Sequence, residues 1–210
     1  MKAGLLAPYE RSLRTSAPLD LVDDDGRVLP LDVRRWLGPL DAADRSVLDR
    51  CRGPVLDLGC GPGRFVHALT ARGIPALGVD LSHTAVQLTR RRGGFALQRD
   101  LFAPLPGEGR WPTVLLLDGN IGIGGDVGRL LARVTRALIP GGALLAEAEP
   151  DDCDEQLTVR FHRQGRPVGG AFGWARVGLA GLHAHAGFVG LRTVHTWRCG
   201  GRAFTELRPR

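Results

Sequence analysis

Short apolar segments alternate with amphipathic segments along most of the chain. The apolar segments predict strands at 55–58, 76–79, 95–98, 113–117 and 143–148. Helices are predicted between them at 64–72, at 82–91 behind a Ser82 cap, and after Asp126, where apolar residues recur at helical spacing. Strands and helices that alternate in this way predict a parallel sheet covered on both faces.

The C-terminal part of the pattern differs from this alternation. A helix is predicted at 175–186, ending at Gly187, and strands follow at 189–197 and 202–207. The link Cys199-Gly200-Gly201 is so short that these two strands must form an antiparallel hairpin. The expected fold is therefore α/β, a Rossmann-like sandwich with a mostly parallel seven-stranded sheet closed by a C-terminal antiparallel hairpin.

Composition narrows the class of protein. The chain has 210 residues, of which 43% are hydrophobic, but no apolar run approaches the length of a membrane span. The four cysteines are scattered without metal-ligand spacing, so we expect reduced thiols, no metal and a cytoplasmic protein. The net charge is +6, yet Lys2 is the only lysine, which indicates arginine-rich composition rather than a nucleic-acid-binding patch.

A glycine-rich loop follows the first predicted strand and opens the next helix. Its residues are Gly59-Cys60-Gly61-Pro62-Gly63, a pattern that lets backbone approach a ligand closely. Asp57, Asp80 and Asp100 stand at or just beyond the ends of the first three predicted strands. In a parallel sheet these ends share one rim, so the three acids should surround one crevice.

The chemistry of these acids distinguishes between two candidate nucleotide ligands. An acid after the second strand can accept the hydroxyls of a ribose, as in NAD or S-adenosylmethionine. The dinucleotide fingerprint would place a third glycine where Arg64 stands, and Asp57 would repel a pyrophosphate. S-adenosylmethionine carries an ammonium group and no phosphate, so the acidic loop favours it.

The segments VLDLGCGPGR, ALGVDLS and QRDLF together resemble the class I S-adenosylmethionine-dependent methyltransferases over about residues 53–149. The chain looks most similar to small bacterial members that carry a DGNIGIGGD loop after strand four. The resemblance implies that Gly59, Cys60, Gly61 and Gly63 hold the methionine part of the cofactor and that Asp80 binds the ribose. It also implies that Leu81 flanks the adenine and that Asp100 with the Leu101 amide contacts its edge.

A second glycine-rich stretch, LLLDGNIGIGG at 115–125, follows the fourth strand. In this fold Asp118 and Asn120 would meet the amino-acid part of the cofactor or the acceptor. We expect the later glycines, Gly122 among them, to leave space where the acceptor approaches. The stretch lacks the N/D-P-P-Y/F signature of nucleic-acid amino methylation, and candidate bases are limited to His162, His183 and His185.

Two regions lie outside the alternation. Residues 1–52 are expected to form an N-terminal cap or lid with a hairpin around Asp24-Asp25-Gly26 and a helix after Asp41, and residues 53–210 the methyltransferase domain. A second hairpin that turns at Gln164-Gly165 predicts a substrate-side insertion at 150–174. Side chains that could wall an acceptor site are Tyr9, Arg14, Trp36, Phe161, Phe172 and Trp174.

The sequence thus predicts methyl transfer from S-adenosylmethionine to a small-molecule acceptor by direct displacement, leaving S-adenosylhomocysteine. An RNA or protein methyltransferase of the same fold is one alternative, and arginines gathered at the crevice mouth would favour it. A non-catalytic S-adenosylmethionine-binding module is the other, favoured if the caps fill the space beside Asn120. The acceptor atom, the catalytic residues and the oligomeric state stay open.

Overall fold

The structure is a computed structural model that describes residues 4–210, so the first three residues of the predicted cap lie outside it. Its helices are α1 (Ala7–Thr15), α2 (Val33–Leu37), α3 (Ala42–Leu48), α4 (Arg64–Ala71), α5 (His83–Arg91), α6 (Val127–Ala137) and α7 (Leu179–Phe188). Its strands are β1 (Leu19–Asp23), β2 (Val28–Leu31), β3 (Val55–Leu58), β4 (Ala76–Asp80), β5 (Phe95–Gln98), β6 (Trp111–Leu116), β7 (Leu138–Ala148), β8 (Asp154–Arg163), β9 (Arg166–Val177), β10 (Leu191–Cys199) and β11 (Arg202–Pro209).

The larger sheet has seven strands in the order β10-β11-β7-β6-β3-β4-β5. Strands β3 to β7 run parallel to one another, β11 pairs antiparallel with β7, and β10 pairs antiparallel with β11. The predicted fold class is therefore confirmed, including the C-terminal hairpin. The predicted caps Asp41, Ser82 and Asp126 each accept a hydrogen bond from a backbone N–H of the first turn of their helix.

A second sheet of four strands has the order β2-β1-β8-β9. It joins the two predicted hairpins, which are far apart in sequence, because β1 pairs with β8 and sets Leu21 opposite Phe161. Leu21, Val159 and Phe161 are buried in a core that also includes Leu13 of α1 and Ala85 of α5. This core fixes the second sheet and α1 over the carboxyl ends of β3 to β6.

The prediction of a helix from residue 175 is wrong, because residues 175–177 continue strand β9. Asp154 pairs with Val177, and Ala175 and Val177 are buried while Arg176 between them is half-buried, so the segment has strand periodicity. The helix begins only at Leu179. Helices α1 and α2 were not predicted. None of the helices in the described part of the chain is long and apolar enough to cross a membrane.

Candidate active site

A cavity of about 480 Å³ lies at the carboxyl ends of the parallel strands, beneath the second sheet. This is the size of a typical small-molecule site. Ten of the predicted site residues line it: Asp57, Gly59, Cys60, Gly61, Asp80, Leu81, Asp100, Leu101, Asp118 and Asn120. Gly63 does not line it. This glycine packs against α5 instead, where a Cβ would overlap the side chain of Thr89.

The first glycine loop is shaped by contacts on both of its sides. Gly59 has φ +75°, and a Cβ there would lie 2.6 Å from the amide nitrogen of Asn120. Gly61 is the more open position, since the nearest atom to its Cβ position is the Tyr9 hydroxyl at 3.4 Å. The loop therefore exposes backbone at Gly61 to the cavity and packs against protein at Gly59.

Asp57 ends in the cavity floor as a buried carboxyl group with 4% exposure. Burial raises the pKa of Asp57 to about 7, and the nearby Asp118 contributes to the increase while Arg64 opposes it. Among residues 4–210 no donor is hydrogen-bonded to this carboxyl group. A buried acid without a protein partner that faces a cavity is well suited to a ligand cation.

Asp80, at the end of β4, has two roles in the same region. Its Oδ2 accepts the Gly61 N–H at 2.9 Å and its Oδ1 accepts the Ser82 N–H at 2.8 Å. Burial nevertheless raises the pKa of Asp80 to about 6. Each carboxylate oxygen has a further lone pair that can accept a hydroxyl, so Asp80 holds the loop and can still contact a ligand.

The turn after β5 brings its predicted residues to the opposite end of the cavity. Asp100 Oδ1 accepts the Phe102 N–H at 2.9 Å, which fixes the turn, and Asp100 and Leu101 line the cavity with Leu81. These residues form a mixed apolar and acidic edge beyond Asp80.

Asp118 is engaged by arginines. Its φ is +59°, a left-handed conformation that is uncommon outside glycine. Arg64 Nη2 lies 2.7 Å from both of its oxygens, Arg35 Nη2 lies 2.9 Å and Arg202 Nη2 3.2 Å from Oδ1. The Asp118 N–H also donates to Glu147 at 2.7 Å. The carboxylate lines the cavity but is already paired.

Arg64 and Arg202 extend these contacts into a closed ionic network. Arg64 and Arg202 each hydrogen-bond the fully buried Asp44, and Arg202 also pairs with Glu147 at 2.7 Å. The guanidinium groups of Arg35, Arg64 and Arg202 thus face the carboxyl groups of Asp44, Asp118 and Glu147, and Asp41 lies 3.7 Å from Arg202 Nη1. Such a network fixes the positions of its side chains. Removal of one partner destabilises the fold strongly, because it leaves a buried charge unpaired.

The second glycine loop connects the first loop to the second sheet. Asn120 Nδ2 donates to the carbonyl oxygens of Leu58 at 3.0 Å and Gly59 at 2.9 Å. Ile123 forms an isolated antiparallel bridge with Trp174 of β9. The side chain of Asn120 therefore anchors the first loop, and the segment after it supports the sheet above.

The expectation that Gly122 leaves space for the acceptor is wrong. A Cβ at Gly122 would overlap the carbonyl oxygen of Ala175, and one at Gly125 would lie 3.1 Å from Gly173. These glycines let the loop pack directly against the backbone of β9. They build the wall of the cavity rather than its opening.

Aromatic side chains form much of the remaining lining of the cavity. Its lining includes Tyr9, Trp36, Phe161, Phe172 and Trp174. Arg14 instead hydrogen-bonds Thr84 at 2.9 Å. Burial raises the pKa of Tyr9 well above its ordinary value, and Asp80 adds to the increase, so its hydroxyl stays protonated.

The three candidate histidine bases lie elsewhere. His183 bonds Thr205 at 3.0 Å and His185 bonds Asp154 at 3.0 Å, and neither lines the cavity. His162 pairs with Asp20 in the second sheet and is also outside the lining. Across residues 4–210 no histidine lines this cavity, and no cluster of metal ligands is found.

Comparison with known proteins agrees with this geometry. A family model described as a methyltransferase domain matches residues 55–142. The fold also matches a methyltransferase from Bacteroides fragilis, solved with S-adenosyl-L-homocysteine, at a TM-score of 0.79 and 20% identity over 98% of this chain and 94% of that one. Residues 55–142 thus match a methyltransferase domain, and the described chain has the fold of the solved methyltransferase.

Curated relatives resemble only part of the chain. A trans-aconitate 2-methyltransferase from Paracidovorax citrulli is 34% identical over 124 residues, which are 57% of this chain and 46% of the relative. The enzyme of the same name from Methylobacterium nodulans is 36% identical over 55% of this chain and 44% of its own length. The matched segment thus spans about half the length of these relatives.

Sequence reasoning missed most of the ionic network around Asp118. Arg35, Asp44, Glu147 and Arg202 come from four separate elements, and nothing in their local sequence marks them as partners. Arg64 did carry a signal, because it replaces the third glycine of a dinucleotide loop. A charged residue at that position needs a buried counter-ion, and Asp118 and Asp44 supply it.

Proposed function

We propose that this protein is an S-adenosylmethionine-dependent methyltransferase that transfers a methyl group to a small-molecule acceptor by direct displacement. The observation that carries the proposal is Asp57, a buried carboxyl group that faces the cavity beside the glycine loop without a protein donor. An ammonium group would satisfy it, whereas a pyrophosphate would be repelled. The acidic lining of the site therefore fits this cofactor better than a dinucleotide.

Each cofactor-binding role follows from position along the rim. Asp57 and the backbone of Gly59, Cys60 and Gly61 would hold the amino-acid part, and Asp80 the ribose. Leu81, Asp100 and Leu101, at the far end of the cavity, would hold the adenine. Asp118 and Asn120 would act indirectly, through hydrogen bonds that fix the second loop against the first loop and its helix.

When bound, the cofactor supplies a methyl group already activated on a sulfonium. The protein then has to orient the acceptor and keep water out, and a dedicated base is optional. The aromatic side chains around the cavity would exclude water from the reacting groups. The protonated Tyr9 hydroxyl near Gly61 can donate a hydrogen bond but cannot remove a proton. Catalytic side chains stay unassigned in this proposal.

Two features support a small acceptor over RNA, protein or a purely regulatory role. Arginines do not gather at the cavity: within the described chain its lining includes only Arg64, which is paired, and Arg129. The cavity also stays open beside Asn120, so the caps do not fill the acceptor space. We propose that residues 1–52 and the insertion at 150–174 form the cap of this site. We also propose a cytoplasmic location, with which the four unpaired cysteines are consistent.

Calorimetric titration tests cofactor binding. S-adenosylhomocysteine should bind and NAD should not. Asp100→Ala should weaken S-adenosylhomocysteine binding by roughly 1.5–3 kcal/mol if its carboxylate bonds the adenine. The matched control is Asp126→Ala, because both acids accept one backbone N–H but Asp126 lies outside the cavity lining. NAD binding without S-adenosylhomocysteine binding would refute the proposal.

Methyl transfer itself is tested with methyl-labelled S-adenosylmethionine and a cell extract. After ultrafiltration the label should appear in the low-molecular-weight fraction. Label in the RNA or protein fraction would favour the same-fold alternative, and no transfer despite tight binding would favour a non-catalytic module.

A further inference from the structure

The acceptor half of the cavity is built almost entirely from apolar side chains. It lies between α1, α2 and the second sheet, and its walls include Leu21, Leu31, Trp36, Phe161, Phe172 and Trp174. These residues come from β1, β2, α2, β8 and β9, so the wall is a property of the assembled cap and not of one segment. An apolar lining of this kind binds through burial of ligand surface.

The aromatic rings of this wall meet at several angles. Phe161 and Phe172 have centroids 5.0 Å apart at 43°, and Phe172 and Trp174 are 6.4 Å apart at 85°. Trp36 contacts Tyr9 edge-on at 6.2 Å. Faces and edges are thus both presented to the same space, the arrangement that receives a flat ring in offset or edge-to-face contact.

The charges around the cavity disfavour an anion. Four acids line it, Asp57, Asp80, Asp100 and Asp118, and within the described chain only two arginines do. Arg64 is 5% exposed and is bonded to Asp44 and Asp118. Each carboxylate of a bound polyacid would therefore lose its hydration without a buried free cation to replace it.

The second arginine does not change this balance. Arg129 is exposed, and its guanidinium lies 4.4 Å from the centroid of the Phe102 ring. It remains in contact with solvent at the edge of the cavity, where an ion pair contributes little. One solvated cation cannot compensate several carboxylates inside an apolar chamber.

We infer that the acceptor is an uncharged molecule with an aromatic or similarly flat apolar ring system, and that this protein does not methylate a polycarboxylate. The inference rests on the proposed function, since it concerns the acceptor half of the same site. It departs from the activity in the names of the curated relatives, whose substrate, trans-aconitate, carries three carboxylates at neutral pH. The difference follows from the paired state of Arg64 and the aromatic composition of the cap.

The first arm of the test uses the unaltered protein saturated with S-adenosylhomocysteine. Calorimetric titration with 2-naphthol, an uncharged aromatic probe, should show binding, and trans-aconitate should neither bind nor compete with it. Binding of trans-aconitate, or failure of 2-naphthol to bind, overturns the inference. Failure of S-adenosylhomocysteine to bind is measured separately and overturns the proposed function instead.

The second arm locates the probe with a matched pair of variants. Leu31 and Leu29 lie on the same face of β2 and are both partly buried against the same core, but only Leu31 lines the cavity. Leu31→Gln should weaken 2-naphthol binding roughly tenfold by placing an amide in the apolar wall. Leu29→Gln should change it by less than about twofold. Equal effects of the two changes, with S-adenosylhomocysteine affinity retained in both, would remove the probe from this chamber and overturn the inference.

Discussion

If S-adenosylhomocysteine binds as proposed, raising the pH from about 6 to about 8 should tighten its binding, because Asp57 would have to ionise to bind the ammonium group. In the ligand-free protein the pKa of this carboxyl group is about 7, so the group is largely protonated at the lower pH. In the complex a neighbouring cation favours the carboxylate over the whole range. Binding at low pH therefore has to release a proton, which costs free energy.

The size of the effect follows from that pKa. About one-tenth of the ligand-free protein has an ionised Asp57 at pH 6 and about nine-tenths at pH 8, so affinity should rise roughly tenfold. Asp80, with a pKa of about 6, should add roughly a factor of two over the same interval. The two together predict an increase of about twentyfold.

The assay is calorimetric titration at several pH values in buffers of different ionisation enthalpy, which also counts the protons released. Asp57→Asn should bind more weakly at pH 8 and show only the smaller dependence left by Asp80. Asp126→Asn, outside the cavity lining, should behave as the parent protein does. Affinity that stays constant or falls as the pH rises would refute the reasoning, as would an Asp57→Asn variant with the full parental dependence.

Four further outcomes test the structure. The folded pKa of Asp57, about 7, exceeds the ordinary aspartate value of 3.8, so the native state holds the extra proton between these limits; Asp57 alone should lower the free energy of unfolding of the ligand-free protein by roughly 3.5 kcal/mol as pH rises from about 4 to about 7, and this part is the difference between the parent and Asp57→Asn in urea denaturation. Arg202→Met should destabilise the fold by roughly 3–5 kcal/mol, because it leaves buried carboxylates unpaired, and a variant with an unchanged melting temperature would contradict the network. Gly122→Ala should lower the melting temperature through its clash with Ala175, and wild-type stability would show that this close packing is absent. Asn120→Asp should weaken S-adenosylhomocysteine binding by roughly 2–3 kcal/mol, because the new carboxylate would face two carbonyl oxygens of the first glycine loop. Unaltered affinity in calorimetry would show that the contact of Asn120 with the first loop does not support cofactor binding.

Local sequence determined the α/β core of this protein and most of the rim of its cavity. Alternating apolar segments, the caps at Ser82 and Asp126, and the glycine hairpin link each act over a few residues, so a local pattern is enough to predict them. The same holds for the acids at Asp57 and Asp80, because parallel strands bring their carboxyl ends to one edge whatever the details of packing.

Tertiary structure alone decided the acceptor side. The pairing of β1 with β8 joins segments more than a hundred residues apart, and neither hairpin carries a signal for the other. The role of Gly122 depended on the backbone of Ala175 lying against it, and the availability of Asp118 depended on arginines from three separate places in the chain. Close packing and buried ion pairs are long-range contacts, so the residue itself shows which group needs a partner but not which partner the fold supplies.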